Sequence, residues 1–144
     1  MGRQLCEQHP GARELFDLAD QVLGFGLSRL CFEGDIAELT LTANAQPAIL
    51  TLGYAHAKTY FDELGIYPAA YAGHSLGEYT ALVCSGAMDF ADALRIVRKR
   101  GELMQHAATM PSGMAAVLSG ERDRIATVCE QASSGNELVV ISNE

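Results

Sequence analysis

The chain has little positive charge. Only 10 of its 144 residues are Lys or Arg, against 18 Asp or Glu, and the formal net charge is -8 at pH 7. Nucleic-acid binders need a basic face that neutralises phosphates, so the composition argues against DNA or RNA as a partner. Four basic residues do cluster at positions 95, 98, 99 and 100. A solvated helix face is the favoured interpretation for the first three, and Arg100 is the exception.

Metal-binding and membrane-spanning patterns are also missing. The cysteines at 6, 31, 84 and 129 show no C-x-x-C spacing, and each lies in an apolar or helical context. They are therefore predicted to be buried small hydrophobes in a reducing compartment, with no metal site. No charged-then-apolar leader is present, and no apolar run approaches the roughly 18 residues of a membrane span. We predict a cytoplasmic protein without membrane contact.

Hydrophobic residues make up 49% of the chain and charged residues 19%, which is typical of a globular domain. Apolar residues recur at helical spacing in the segments 12–23, 46–64, 79–84, 90–104 and 122–132. Asp89 is placed to cap the fourth of these helices. Residues 25–41 predict one or two helical turns joined by loops. Short apolar runs bounded by Gly or Pro predict strands at 69–72, 114–118 and 138–141. The alternation predicts an α/β fold.

The segment Gly73-His74-Ser75-Leu76-Gly77 matches a nucleophile elbow, in which a tight strand-to-helix turn exposes a serine. Side chains two residues before and two residues after the serine would collide in such a turn, which explains both glycines. The backbone N–H of Leu76 would face the attacked carbonyl as part of an oxyanion hole. The predicted strand before this turn and the helix after it support the interpretation.

A serine nucleophile needs a base, usually a histidine. His74 adjoins Ser75, and neighbours on a tight turn usually point apart, so we expect it to shape the pocket rather than to accept the proton. The remaining histidines fit loop or helix positions without a catalytic role, and they are His9, His56 and His106. We expect the base to lie outside this chain.

Arg100 falls at the edge of the apolar stripe of the helix that follows Asp89. A half-buried guanidinium needs an anion, because burying an unpaired charge is costly. Composition alone favours a carboxylate of the protein itself. The alternative is the carboxylate of a substrate, which the planar guanidinium would bind in bidentate fashion.

Three segments resemble the malonyl-CoA:acyl carrier protein transacylase family, and the resemblance covers the whole chain. They are GHSLGEYTALV at 73–83, RKRGELMQ at 98–105 and ANAQPAIL at 43–50. The glycine-flanked serine together with the later Arg100-Gly101 pair is more specific than an elbow alone.

The resemblance implies an acyltransferase of fatty acid or polyketide biosynthesis. It moves malonyl from coenzyme A to the phosphopantetheine thiol of an acyl carrier protein, and no cofactor is implied beyond the coenzyme A thioester that is the substrate. Ser75 would carry the malonyl group and Arg100 would bind its carboxylate. Gln46 would line the pocket beside His74, and Leu76 would supply an oxyanion N–H. Arg95, Arg98 or Lys99 would meet the acidic carrier protein or the coenzyme's phosphates.

The implied architecture is a partial α/β-hydrolase-like acyltransferase core over residues 1–112, followed by the beginning of an inserted ferredoxin-like subdomain over 113–144. Family members start with a strand and a GQGSQ loop whose glutamine is the second oxyanion donor, and they carry the catalytic histidine in a later half. Neither part is found here. We therefore expect the N-terminal half of an acyltransferase, with apolar edges prone to association and the remainder of the enzyme as a partner.

Two other functions stay open. A serine esterase or thioesterase would use the same elbow but would need water access and would have no use for Arg100. A catalytically inert truncated product would keep the first half of the fold and at most bind a partner.

Overall fold

The regular structure in residues 1–107 and 113–142, which a computed structural model describes, is helical. The elements in this part of the chain are α1 (Arg3–Gln8), α2 (Pro10–Leu23), α3 (Leu27–Glu33), α4 (Ile36–Leu39), α5 (Thr42–Leu64), α6 (Leu76–Cys84), α7 (Phe90–Ala107) and α8 (Arg122–Ala132). The helices predicted from periodicity are all present. The two short helices α3 and α4 account for the turns predicted between 25 and 41.

Local chemistry sets several helix ends where the sequence predicts them. Gly24 and Gly65 end α2 and α5 at φ angles of 73° and 64°, a left-handed conformation that glycine adopts without strain. Asp89 caps α7, because its Oδ1 accepts the backbone N–H of Ala91 at 2.8 Å. The predicted cap is confirmed, and α7 runs three residues beyond the predicted end at 104.

Helix α5 begins at Thr42, four residues before the predicted start at Gln46, so Pro47 lies inside the helix. Proline has no N–H, and the carbonyl four residues earlier therefore loses its helical partner. That carbonyl belongs to Ala43, and it accepts instead from Arg98 Nη1 of α7 at 3.0 Å. A side chain from a distant part of the sequence thus replaces the missing backbone bond.

The core forms where α5 packs against α2, α6 and α7. The largest fully buried apolar side chains come from four helices, and they are Phe16, Leu27, Leu50, Leu94 and Val97. Each contributes about 1.5–3 kcal/mol relative to an exposed position.

The predicted apolar stripe of α5 is only partly buried. The buried residues of α5 lie between Ala43 and Ala55, whereas Tyr60 and Leu64 are 58% and 51% exposed. Ile49, another apolar residue of α5, is 50% exposed. The C-terminal half of α5 extends beyond the segment that holds its buried residues, which accounts for Tyr60 and Leu64, whereas Ile49 lies within that segment and is exposed all the same.

Gly101 allows α7 to approach α5 closely. A Cβ at this position would lie 2.6 Å from the carbonyl oxygen of Thr42 and 2.7 Å from Cα of Ala43. Both are backbone atoms, so they could not move aside as a side chain would. The glycine therefore fixes how near the two helices lie at the first turn of α5.

The three predicted strands are not formed among the described residues, where the β pairing is a single isolated bridge between Ser134 and Glu137. A strand needs a neighbouring strand for its backbone hydrogen bonds. The segments 69–72, 114–118 and 138–141 have no such neighbour in the part of the chain that is described. The chain divides into two compact units, Met1–Met110 and Pro111–Glu144. The predicted domain boundary after residue 112 falls in 108–112, outside the described residues.

All four cysteines are free. Only Cys31 is buried, and burial raises the pKa of its thiol to about 11. Burial also raises the pKa of Cys6 and of Cys84, although these side chains and that of Cys129 are partly exposed, so the prediction of four buried cysteines is wrong for three of them. None of the helices in residues 1–107 and 113–142 is long and apolar enough to cross a membrane.

Candidate active site

Ser75 has a strained backbone. Its φ of 52° makes it the one non-glycine residue with positive φ in the described chain, and its ψ is -108°. Such conformations cost about 1–3 kcal/mol and concentrate at functional sites. Helix α6 starts at the next residue, so the predicted turn and the following helix are present, while the preceding strand is not paired.

The two glycines of the elbow differ in what requires them. A Cβ at Gly73 would lie 2.0 Å from the carbonyl carbon of Gly77 and 2.5 Å from the backbone nitrogen of Glu78, which no side chain tolerates. The prediction for Gly73 is therefore confirmed. A Cβ at Gly77 would meet no described atom within 4 Å, so the predicted collision at that position is wrong. The two positions differ because the backbone of Gly77 and Glu78 lies where a Cβ at position 73 would be. A Cβ at position 77 would lie in open space.

Arg100 reaches the serine from α7. Its Nη2 donates to Ser75 Oγ at 2.9 Å, and its Nη1 donates to Oε1 of Gln46 at 2.7 Å. Three residues singled out by the sequence thus meet at one point, although they come from α5, the elbow and α7.

Arg100 makes no ion pair with a carboxylate in the described residues, whereas Arg3, Arg13, Arg95 and Arg98 each do. A carboxylate of the protein, which composition favoured as the partner of Arg100, is therefore not found there. Because no carboxylate of the described residues offsets it, the positive charge of this guanidinium beside Ser75 favours the binding of an anion.

Gln46 is 5% exposed, and both the oxygen and the nitrogen of its amide have hydrogen-bond partners. While Oε1 accepts from Arg100, Nε2 donates to Thr42 Oγ1 at 2.9 Å and lies 3.4 Å from Sδ of Met104. Sequence reasoning did not find Thr42 or Met104. Thr42 lies four residues before Gln46, which is one helical turn, and a helix start at residue 42 would have pointed to it.

The first turn of α6 begins directly after the serine. In the described residues the backbone N–H of Leu76 has no protein acceptor, as expected for the first residue of a helix, and the positive end of the helix dipole lies here. Both features suit a negatively charged oxygen. His74 is exposed, and its carbonyl accepts the N–H of Gly77 at 2.8 Å.

No histidine is hydrogen-bonded to Ser75 Oγ in residues 1–107 and 113–142. His9 faces Glu63, with 3.2 Å between Nδ1 and Oε1, and His56 and His106 are exposed. The same part of the chain contains no group of three or more His, Cys, Asp or Glu that could hold a metal ion.

The other basic residues of α7 have different surroundings. Arg95 and Lys99 are exposed, and their carboxylate partners are the neighbouring Asp92 and Glu102. Arg98 is not on a solvated face, because it bonds to Glu102, to the carbonyl of Ala43 and to Asn44 Oδ1 at 2.6 Å. Its guanidinium also stacks 5.0 Å from the ring centroid of Phe25. The prediction of a solvated position is wrong for Arg98, because the helix crossing needs its hydrogen bonds.

Known proteins resemble this chain over nearly all of its length. The model of the acyl transferase domain family matches residues 1–142. The malonyl CoA-acyl carrier protein transacylase of Bacillus subtilis strain 168 is 49% identical over 144 residues, which are 99% of this chain and 45% of that protein. The chain thus spans less than half the length of this curated relative.

Solved structures give the same result. The malonyl CoA-acyl carrier protein transacylase of Coxiella burnetii superposes with a TM-score of 0.83 at 38% identity, over 94% of this chain and 43% of that one. A second structure, a malonyl-transacylase in complex with a type II polyketide synthase acyl carrier protein, gives a TM-score of 0.80 at 37% identity, over 91% and 43% of the two chains. Over the covered part, the chain has the fold of these acyltransferases.

Proposed function

We propose that this chain, which belongs to the acyl transferase domain family, takes part in moving a malonyl group from coenzyme A to the phosphopantetheine thiol of an acyl carrier protein. The observation that carries the proposal is the 2.9 Å contact between Arg100 Nη2 and Ser75 Oγ, made by a guanidinium with no carboxylate partner in the described residues. A nucleophile directly beside an uncompensated cation suits an acyl group that ends in a carboxylate.

The reaction has two acyl transfers through Ser75. In the first, Oγ attacks the thioester carbonyl carbon of malonyl-CoA, the carbon–sulfur bond breaks, and coenzyme A leaves as its thiol while Ser75 becomes a malonyl ester. In the second, the carrier's thiol attacks that ester, and the serine leaves with a proton. Arg100 would hold the malonyl carboxylate throughout, so binding energy from the carboxylate positions the reacting carbonyl.

The oxyanion of each tetrahedral intermediate would accept a hydrogen bond from the backbone N–H of Leu76. The position of this N–H at the start of α6, without a described protein acceptor, supports this role. The proton of Ser75 Oγ needs a base, and we place that base in the part of the relatives that this chain does not span. His74 would border the acyl pocket without taking the proton.

We also propose that the segments 69–72, 114–118 and 138–141 become strands of an α/β-hydrolase-like core and of a ferredoxin-like subdomain once neighbouring strands are supplied.

An acidic carrier protein is the proposed acceptor. One similar structure, by its title, contains an acyl carrier protein bound to its malonyl-transacylase. Arg95 and Lys99 are the exposed basic residues of α7 that could meet such a partner or the phosphates of coenzyme A. Arg98 already bonds to Glu102, to the carbonyl of Ala43 and to Asn44, so the proposal rests on Arg95 and Lys99. A cytoplasmic location and the absence of a cofactor other than the thioester substrate stay predictions.

The test is to incubate the purified chain with malonyl-CoA and to record its intact mass, with Ser75→Ala as the control. A parallel sample contains the separately expressed C-terminal half of the Bacillus subtilis relative. A malonyl adduct that requires Ser75 in either sample supports the proposal, and its hydrolysis or transfer to added carrier protein distinguishes a thioesterase from a transferase. No adduct in either sample would leave the chain as an inert product.

A further inference from the structure

The amide of Gln46 has a defined orientation, and two neighbours determine it. Arginine has only donors, so the atom facing Arg100 Nη1 must be the amide oxygen. The amide nitrogen then faces Thr42 Oγ1, a hydroxyl oxygen with lone pairs to accept its hydrogen. A flipped amide would set two donors against each other at Arg100, and at 5% exposure no bulk water could relieve this.

This orientation fixes the guanidinium. Arg100 has a long, rotamer-rich side chain, and its planar head makes two contacts of different kinds, one to Gln46 and one to Ser75. The Gln46 contact is made with a buried group on the adjacent helix, whereas the Ser75 contact is on the exposed side. The buried contact therefore determines where the exposed Nη2 points, and it leaves Nη2 at the nucleophile.

An amide at position 46 holds the guanidinium without cancelling its charge. A carboxylate in the same place would orient Arg100 equally well, but it would form an ion pair and would compete with any incoming anion. Glutamine therefore combines a fixed direction with an unused positive charge. Thr42 contributes by supplying an acceptor that is also neutral.

We infer that Gln46 and Thr42 are positioning residues that act through Arg100, and that together they set the preference for acyl groups ending in a carboxylate over neutral acyl groups. The inference rests on the proposed function for the identity of the acyl group. Neither side chain has to touch the substrate, which revises the expectation that Gln46 lines the pocket.

The first measurement compares the rates of ester formation on Ser75 from malonyl-CoA and from acetyl-CoA, by intact mass. In Thr42→Val the malonyl rate should fall about fivefold, the factor that corresponds to one ordinary hydrogen bond. The acetyl rate should stay within about twofold of the original, because the neutral acyl group does not use the guanidinium. Thr42→Ser should restore the malonyl rate, and Thr59→Val, on the same helix but away from Arg100, should change neither rate.

The second measurement needs no substrate. Nitrogen-15 NMR of the full chain reports how fast the Arg100 guanidinium rotates about its Cζ–Nε bond. Rotation should accelerate about fivefold in Thr42→Val and return to the original rate in Thr42→Ser. In Gln46→Glu it should stay slow, while the rate with malonyl-CoA falls below that with acetyl-CoA.

The two measurements separate the possible failures. Unchanged guanidinium rotation in Thr42→Val overturns the positioning role. An equal loss of the malonyl and acetyl rates together with a lower Tm also overturns it, because that result indicates a structural role only. If the original chain forms no ester from either thioester, alone or with the C-terminal half of the Bacillus subtilis relative, the proposed function fails. Faster rotation in Thr42→Val would then still support the positioning of Arg100.

Discussion

Ser75 and Arg100 are held in place by different means. The serine is presented by a strained backbone that depends on the close approach of Gly73 to Gly77 and Glu78. The arginine is held by hydrogen bonds, one of them to a buried amide. Backbone strain is supported by the surrounding fold, whereas a side-chain network fails when a single partner is removed. The arginine is therefore the more informative residue to change.

Replacing Arg100 by Ala should lower the rate of Ser75 malonylation by about 10- to 150-fold, because hydrogen bonds to a charged group contribute about 1.5–3 kcal/mol each. Arg100→Lys should recover only part of this loss, since an ammonium lacks the planar fork that contacts Gln46 and Ser75 together. Intact-mass time courses measure both rates. Arg13→Ala, on α2 where the half-exposed Arg13 pairs with Asp17, is the matched control and should leave the rate unchanged. Full activity in Arg100→Ala would favour the esterase interpretation.

Cys31 should react slowly with iodoacetamide in the folded protein. Its pKa of about 11 lies two units above the ordinary thiol value of 9.0, so the reactive thiolate is about 100-fold scarcer at pH 8. Peptide mass spectrometry of the folded and the urea-unfolded chain gives the ratio of rates. Because the folded pKa is raised, this thiol favours the folded state below pH 9, and that contribution is lost as the pH rises towards 11. Equal rates in both states would show that Cys31 is accessible.

At the level of elements, the crossing of α5 and α7 positions the candidate site. Pro47 removes a donor from α5, Arg98 supplies a replacement from α7, and Gly101 lets the two backbones approach. Arg98 and Gly101 both contact the first turn of α5, at Thr42 and Ala43, about one helical turn before Gln46. The crossing thereby brings Arg100, which directly precedes Gly101, within hydrogen-bonding distance of Gln46.

Gly101→Ala should destabilise the chain by about 1–3 kcal/mol, the usual range for forcing an extra methyl group into a packed contact. The added Cβ would meet the backbone of Thr42 and Ala43, so the helices must separate. Urea unfolding measures the change. Gly11→Ala is the matched control, since that helical glycine has open space around its Cβ position, and the change should leave stability unchanged or raise it by up to about 1 kcal/mol. A similar effect in both variants would contradict the role of the crossing.

At the level of the whole molecule, the unit Pro111–Glu144 exposes many apolar side chains. Met114 and Leu118 are 90% and 96% exposed, and Leu138 and Val140 are 75% and 69% exposed. All four lie in the segments predicted as strands, 114–118 and 138–141. Apolar surface next to unpaired backbone favours association, although a net charge of -8 opposes it by repulsion.

The chain should therefore self-associate in a concentration- and salt-dependent way, because added salt screens the repulsion. Sedimentation velocity over a range of concentrations measures this. Leu118→Lys should shift the equilibrium towards monomer, while Ile36→Lys, an equally polar change at a 70% exposed apolar residue of the other unit, should have less effect. A monomer at all concentrations, or an equal effect of the two variants, would contradict the assignment of the self-associating surface to Pro111–Glu144.

Helix positions were largely predictable because they depend on short-range chemistry. Periodicity located α2, α7 and α8, and the end of α2 at Gly24 and the cap by Asp89 followed from residue type. The start of α5 was not predictable in this way. Pro47 normally marks a first turn, and only Arg98, far along the sequence, makes its interior position acceptable. The strands depend on neighbours too, and local sequence carries no information on whether those neighbours are present.

The sequence by itself determined the elbow around Ser75, the position of Arg100 at the edge of an apolar stripe, and most helices, because each depends on residue type and spacing over a few positions. Gln46 became a candidate site residue only through the family resemblance. Only the tertiary structure decided that Gln46 contacts Arg100, that Thr42 orients Gln46, and that Arg98 belongs to the helix crossing and not to a solvated face. These contacts join residues from separate helices, and their geometry is set by how closely the helix backbones pack, which no local pattern encodes.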